Sequence, residues 1–164
     1  TSDIVVITDY EVSDAVRADE LDVISDAAIA AAFGAFGARA DIGGGPVTRS
    51  DGLTVESFEV SVTGLVTLYD SNTADGTTDE VFAQTAADII ALTEALHLTF
   101  GVANVVTFGL DADADGVAES TIVAGTSSIA GTPGETNIIQ LVGVGFGADL
   151  VTGGFGVAGD IIIG

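Results

Sequence analysis

The chain has 164 residues, no cysteine, and a formal net charge of −22 from 25 acids set against three arginines and no lysine. That balance excludes nucleic acid and anionic membrane surfaces as partners, because both are held by clustered cations, and the missing thiols exclude disulfides and thiolate metal sites. With 48% hydrophobic residues the chain is no disordered acidic tail, and it is long enough to bury a real core.

The expected fold class is mainly β: a β-sandwich-like domain with one or two short helices and a calcium-binding hairpin loop. The chain reads as a single β-rich domain, 1–164, with a division into 1–45 and 46–164 as the alternative. Residues 3–8 read as a short buried strand, and Leu21 to Ile24 as a second. Ser25 or Asp26 then caps an alanine-rich stretch that predicts a short helix to about Phe36. Gly43-Gly44-Gly45-Pro46 breaks that stretch and opens a loop. From Glu56 to Tyr69, Phe58, Val60, Val62, Val66 and Leu68 share one face at period two, with polar residues on the other. This predicts one long strand, bent or bulged at Gly64.

Asp70 to Asp79 follows, rich in acidic and amide oxygens. Asp70, Asn72, Asp75 and Asp79 are a candidate second calcium site, set against a plain Asx-rich turn. Thr85-Ala86-Ala87-Asp88 has the form of a capping box, with Asp in place of the usual Glu or Gln. It predicts a helix over 88–97 in which Ile89, Leu92 and Leu96 share a face, with Gly101 ending the region. The lone histidine, His97, reads as a cation near the helix C-terminus or a partly buried side chain. Val105 to Phe108 and Thr121 to Val123 are predicted strands on either side of an acidic loop. Ile138 to Val144 and Asp160 to Ile163 return to β patterns.

The loop itself is the most specific signal. Asp111-Ala112-Asp113-Ala114-Asp115-Gly116-Val117-Ala118-Glu119 places three aspartates at alternate positions, a glycine directly after the third, and a glutamate three residues later. Like charges packed so closely repel unless a cation or full solvation relieves them. Calcium takes six to eight oxygens at about 2.3–2.6 Å, and a turn of this form can aim alternate side chains inward. The first six positions follow the EF-hand loop, but the twelfth is Ile122, where that motif needs a bidentate glutamate. The expectation is therefore a β-loop-β site. Its ligands are Asp111, Asp113, Asp115 and Glu119, with the Val117 carbonyl as a fifth, and its affinity is on the order of 10⁻⁴–10⁻³ M as in extracellular modules.

Catalytic groupings are missing. One histidine and no cysteine cannot assemble a usual zinc site. Gly125-Thr126-Ser127-Ser128 lacks the nucleophile-elbow pattern, and Gly43-Gly44-Gly45-Pro46 lacks the lysine of a phosphate loop. The acids could supply a carboxylate pair for glycoside hydrolysis, but without tryptophan and with two tyrosines a sugar-stacking cleft is not expected. The chain reads as no enzyme. No segment reaches the about 18–20 apolar residues of a membrane span, so no membrane insertion is expected. A first residue other than Met suggests a processed chain or a piece of a longer one.

Three passages carry a resemblance. Asp3-Ile4-Val5-Val6-Ile7-Thr8-Asp9-Tyr10, followed by Ala18-Asp19-Glu20-Leu21-Asp22-Val23, is similar to the stretch that closes calcium-binding RTX β-rolls, where an I-x-D-F strand precedes a D-x-L-D-L strand. Val106 to Gly116, Ser120 to Val123 and Asn137 to Val144 resemble modules near the C-termini of bacterial S-layer and RTX proteins, and Ile139-Gln140-Leu141-Val142-Gly143 stands where those have I-K-L-x-G. The end, Asp160 to Gly164, is similar to the tails of substrates exported by type I secretion. The chain departs from the pattern in having no GGxGxDxUx nonapeptide, so the β-roll itself is absent. The nine-residue loop also resembles the calcium loops of integrin-type propeller repeats, though no repeat of that length is evident.

The resemblance implies an extracellular or cell-surface, calcium-dependent structural protein that self-assembles as a homo-oligomer into a layer or filament. The alternatives are a C-terminal secretion and folding module of a larger adhesin or exoenzyme, and a carbohydrate- or surface-binding β-sandwich. The strands at 56–69, 105–110, 138–144 and 160–163 carry no lysine or proline to blunt an edge, which points to pairing between copies.

Overall fold

The structure, a computed structural model, describes residues 4–8, 20–22, 37–61, 65–70, 79–100, 105–126, 136–146, 150–152 and 160–163. It is mainly β and sandwich-like, as the sequence pattern indicates. In chain order the elements are β1 (Ile4–Ile7), β2 (Glu20–Asp22), β3 (Ala40–Asp41), β4 (Val47–Thr48), β5 (Thr54–Val60), β6 (Val66–Asp70), β7 (Glu80–Val81), α1 (Ala86–Phe100), β8 (Val105–Leu110), β9 (Ser120–Thr126), β10 (Thr136–Val142), β11 (Leu150–Thr152) and β12 (Asp160–Ile163).

One sheet runs β1-β10-β9-β8. Its three later strands are antiparallel neighbours, whereas β1 lies parallel to β10, with Ile4 opposite Ile138 and Ile7 opposite Leu141. A second sheet is built on β5, which pairs with β6 on one side and with both β3 and β4 on the other; β7 extends it beyond β6. The short strands β3 and β4 run in the same direction along β5 and are separated by a turn at Gly43 and Gly44, where the expected break falls; the Gly45 amide donates to the Ile42 carbonyl at 2.9 Å. A third group, β11-β12-β2, joins the chain's end to its early part. The first two sheets meet along β8 through single parallel bridges, Leu65 to Thr107 and Ala83 to Leu110.

The long strand expected over 56–69 is instead a hairpin. Phe58 stands opposite Leu68 and Val60 opposite Val66. The Ser61 amide donates to the Leu65 carbonyl at 2.9 Å, and the Leu65 amide donates to Ser61 Oγ at 3.0 Å, closing the reversal. Strands of about five or six residues are the norm, and folding the segment back pairs its backbone groups with each other. The apolar face is kept, because Phe58, Val60, Val66 and Leu68 are all buried. Gly64 lies outside the described residues; the register shift that is present falls between Val55 and Ser57.

The capping box is realised. The Asp88 amide donates to Thr85 Oγ1 at 3.2 Å, and the Thr85 amide donates back to Asp88 Oδ2 at 2.9 Å. The helix it starts is longer than the expected 88–97. Ile89, Leu92 and Leu96 are buried together with Ala95, while Glu94 and Leu98 face solvent. Each such fully buried aliphatic contributes on the order of 1.5–3 kcal/mol. These residues pack with Val55, Phe58, Leu68, Val106, Phe108, Ile122 and Ile138 in one core shared by helix and strands. The helix expected to about Phe36, residues 23–24 of the second strand, and Gly101 lie outside the described residues.

The C-terminal strands are not open edges, as the sequence pattern suggested. β10 lies between β1 and β9, and β12 between β11 and β2. One partner of each, β1 for β10 and β2 for β12, comes from the opposite end of the chain, and β1 lies parallel to β10. A parallel pair of this kind needs a long crossover and leaves no local turn signal. The outer strand of the first sheet is β1, in which the adjacent residues Val5 and Val6 are 57% and 54% exposed.

Candidate metal centre

β8 and β9 form a regular antiparallel pair from Val105–Gly125 to Leu110–Ser120, and the 111–119 loop closes it. Phe108 and Ile122, both fully buried, anchor the two strands in the core. The Glu119 amide donates to the Leu110 carbonyl at 3.1 Å, which brings the two ends of the loop together.

Within this frame Asp111, Asp113, Asp115 and Glu119 each turn a carboxylate oxygen to a common centre, all four lying within 4.8 Å of one another. Two oxygens bound to one ion at about 2.4 Å can be at most about 4.8 Å apart, so the set meets the dimension of a calcium shell. This group can hold a metal ion. Asp111 is buried at the root, and the other three acids are exposed.

The backbone wraps around the root carboxylate. The Asp115 amide donates to Asp111 Oδ1 at 3.2 Å and the Gly116 amide to Asp111 Oδ2 at 2.9 Å. Asp113 Oδ1 accepts from the Asp115 amide at 3.3 Å, and Asp115 Oδ1 from the Val117 amide at 2.9 Å. Glu119 reaches back across the loop, Oε2 accepting from the Ala112 amide at 3.1 Å. This winding needs left-handed backbone at two places. Gly116, at φ 90°, adopts it freely, but Ala114, at φ 61°, does not. A left-handed alanine costs about 1–2 kcal/mol, and such strain persists where the surroundings over-determine it.

The backbone donors do not neutralise the cluster. Asp115 beside Asp113 raises the pKa of Asp113 above its ordinary value, with smaller contributions from desolvation and from the Glu119 and Asp111 charges. Among the described residues no arginine stands in for a cation. Arg39 lies over the Tyr69 ring at 3.7 Å, Arg49 pairs with Asp51, and Arg17 is outside the described residues.

All four predicted carboxylates of the first site are thus brought together. Val117 also lies in the loop, its side chain exposed and its amide turned to Asp115. Of the second predicted set, Asp70 and Asp79 are joined: the Asp70 amide donates to the Asp79 carbonyl, and the Asp79 amide to Asp70 Oδ1, each at 3.2 Å. Asn72 and Asp75 lie outside the described residues.

One carboxylate centre was not read from the sequence beyond its helix-capping role. Asp88 accepts from the Ser50 amide at 2.8 Å, Ser50 Oγ at 3.1 Å, the Gln84 amide at 3.2 Å and the Thr85 amide at 2.9 Å. Beside it, the buried Arg49 holds Asp51 through both carboxylate oxygens and donates to the Phe82 carbonyl. The Thr85–Asp88 spacing signalled the cap; nothing local signalled Ser50.

The chain matches no protein-family model, no curated protein and no solved structure.

Proposed function

We propose that this chain is an extracellular structural protein whose fold is completed by calcium at the 111–119 loop and which self-assembles into a surface layer or filament. The observation that carries the reading is the convergence of four carboxylates on one centre at the end of a core-anchored hairpin, in a chain with no lysine. Such a centre takes a hard dication. An all-oxygen set supplemented by the Val117 carbonyl and water suits calcium, which accepts irregular shells, better than magnesium, which demands a near-ideal octahedron. Asp70, Asn72, Asp75 and Asp79 are proposed as a weaker second calcium site.

Assembly draws on β1. Two consecutive exposed valines put an apolar side chain on each face of that outer strand, beside the half-buried Ile4 and Ile7, and β1 has no lysine or proline to discourage pairing with another chain. Calcium would also screen the repulsion between copies that a charge of −22 imposes. The internal pairing of β10 and β12 supports a second reading, a calcium-dependent secretion and folding module that stays monomeric.

Calorimetry and light scattering on one calcium titration test both readings. Heat specific to calcium, lost in Asp113→Ala, with particles that grow as calcium reaches millimolar levels, is the outcome expected of a self-assembling protein. Heat with a constant monomer selects the secretion module. No calcium-specific heat removes the metal centre and both readings with it.

A further inference from the structure

The two sides of β10 are held very differently. On one side β9 pairs with it along its whole length, from Thr136–Thr126 to Val142–Ser120. On the other side β1 covers only Ile138 to Leu141, and among the described strands β1 pairs with β10 alone. Ile138 and Leu141, opposite Ile4 and Ile7, are fully buried. Without a strand on that side, β10 would present unpaired backbone groups at the rim of the core.

β1 is bound to this place by little else. Ile4 packs against the core, whereas Val5 and Val6 are more than half exposed. Residues 8–135 separate the two strands, so no local turn ties β1 to the β10 of its own chain. Neither β1 nor β10 holds a charged residue. The β10 edge requires a strand of this kind, and nothing in the pairing requires that it come from the same copy.

We propose that β1 is exchanged between copies: the β10 edge of one chain takes Ile4–Ile7 of a second, in the register its own β1 uses. The inference rests on the self-assembly part of the proposed function, not on its metal, and names the seam through which copies join. The bonds and contacts of the seam are the same within a chain and between chains, so they cancel, and concentration decides. A strand tethered to its own chain competes at an effective concentration on the order of 1 mM. Copies gathered to that concentration exchange strands. Because the seam is uncharged, exchange sets no acid against acid in a chain of net charge −22. One-way transfer leaves a free β1 at one end and an open β10 at the other, a head-to-tail contact that continues as a filament.

The chain has no cysteine, so an introduced pair reports a single contact. Val5 stands opposite Ile139, and neighbouring strands about 4.8 Å apart lie within disulfide reach. Val5 is exposed and Ile139 half-buried, so both single variants are expected to fold. Val5→Cys and Ile139→Cys proteins are mixed in millimolar calcium, incubated and oxidised, and the cross-links are read by peptide mass spectrometry. A disulfide joining one variant to the other is expected, rising about tenfold or more between about 0.01 and 1 mM protein. The double variant, Val5→Cys with Ile139→Cys, is oxidised at about 0.01 mM, where it closes within the chain. Light scattering is expected to find it monomeric where wild type assembles, and assembling once reduced. A main product joining two Val5→Cys copies, or no mixed disulfide at about 1 mM, overturns the exchange. A closed double variant that assembles like wild type overturns it too and leaves self-assembly standing. A double variant that does not close overturns the β1–β10 register on which the exchange stands. Wild type that stays monomeric throughout overturns self-assembly, and the exchange with it.

Discussion

Asp88 and the 111–119 loop solve the same problem in opposite ways. Both put carboxylate charge beside a folded core. At Asp88, burial pushes the pKa up, but the Ser50 amide, the Thr85 and Ser50 hydroxyls and the Gln84 amide outweigh it, so the carboxyl titrates below its ordinary range. In the loop, four carboxylates share backbone amides, and Asp115 beside Asp113 drives the Asp113 pKa up. A carboxylate surrounded by protein donors is a structural element complete in itself. A carboxylate crowded by other carboxylates, as Asp113 is, keeps a repulsion that a cation would relieve. The difference lies in how many donors each charge receives, which the density of acids in the sequence does not reveal.

The largest expected effect is on the self-sufficient side. Asp88→Ala removes the acceptor half of the capping box and takes the buried carboxylate from the Ser50, Gln84 and Thr85 donors, a loss of about 2–4 kcal/mol. Thermal denaturation should show a fall of about 5–15 °C in calcium and in chelator alike. A fall confined to chelator would break the distinction between the two regions.

Calcium comes next. Free calcium at about 10–100 times its dissociation constant is expected to stabilise the native chain by about 1.4–2.7 kcal/mol, and Asp111→Asn to abolish most of that gain. Paired melts at fixed ionic strength measure it, and equal melting temperatures with and without calcium would remove the loop's need for a cation.

Acid sharpens the contrast, because the two regions carry opposite signs. The side-chain hydrogen bond from Arg49 lowers the pKa of Asp51, partly offset by desolvation, and Asp88 is lowered by its own donors. Stability from these two groups is present above the ordinary carboxyl value near about 3.9 and is lost as pH falls through their lower folded values. Asp113 behaves conversely: its raised pKa favours the folded state below the ordinary value, and that contribution is lost as pH rises through the folded value. Denaturant titrations in chelator from about pH 6 to pH 2 should therefore show a gentler acid limb in Asp88→Asn than in wild type. Identical limbs would mean that the Ser50 and Thr85 donors contribute nothing to the acid response.

The smallest effect is expected at Asp113, which is exposed. Asp113→Asn should raise stability slightly in chelator, by removing one repelling charge, and lower calcium affinity in the same protein. Loss of stability in chelator would show that the side chain's hydrogen bond to the Asp115 amide outweighs the repulsion.

Much of this was legible from local pattern. The alternation of Asp with Ala before Gly116, between two β-branched runs, placed the loop on a hairpin because each part acts within a few residues. Thr85 and Asp88 marked the helix start for the same reason. The segment 56–69 was read with the right apolar face and the wrong connectivity: a two-residue period survives a turn that closes on an even step, so the pattern alone does not distinguish a bend from a reversal. Ala114 in the left-handed region was invisible too, because nothing in an alanine announces that its neighbours will force it there.

What the sequence by itself determined is the charge, the β periodicity, the cap of α1 and the four carboxylates that meet in the loop, all of which depend on neighbours along the chain. What only the tertiary structure decided is who meets whom across it. β1 pairs with β10 from opposite ends, Ser50 completes the shell of Asp88, and Ala83 and Gly143 are tied to the two ends of the acidic loop. Those contacts join backbone groups and small side chains that carry no pattern of their own, and burial in a shared core selects them.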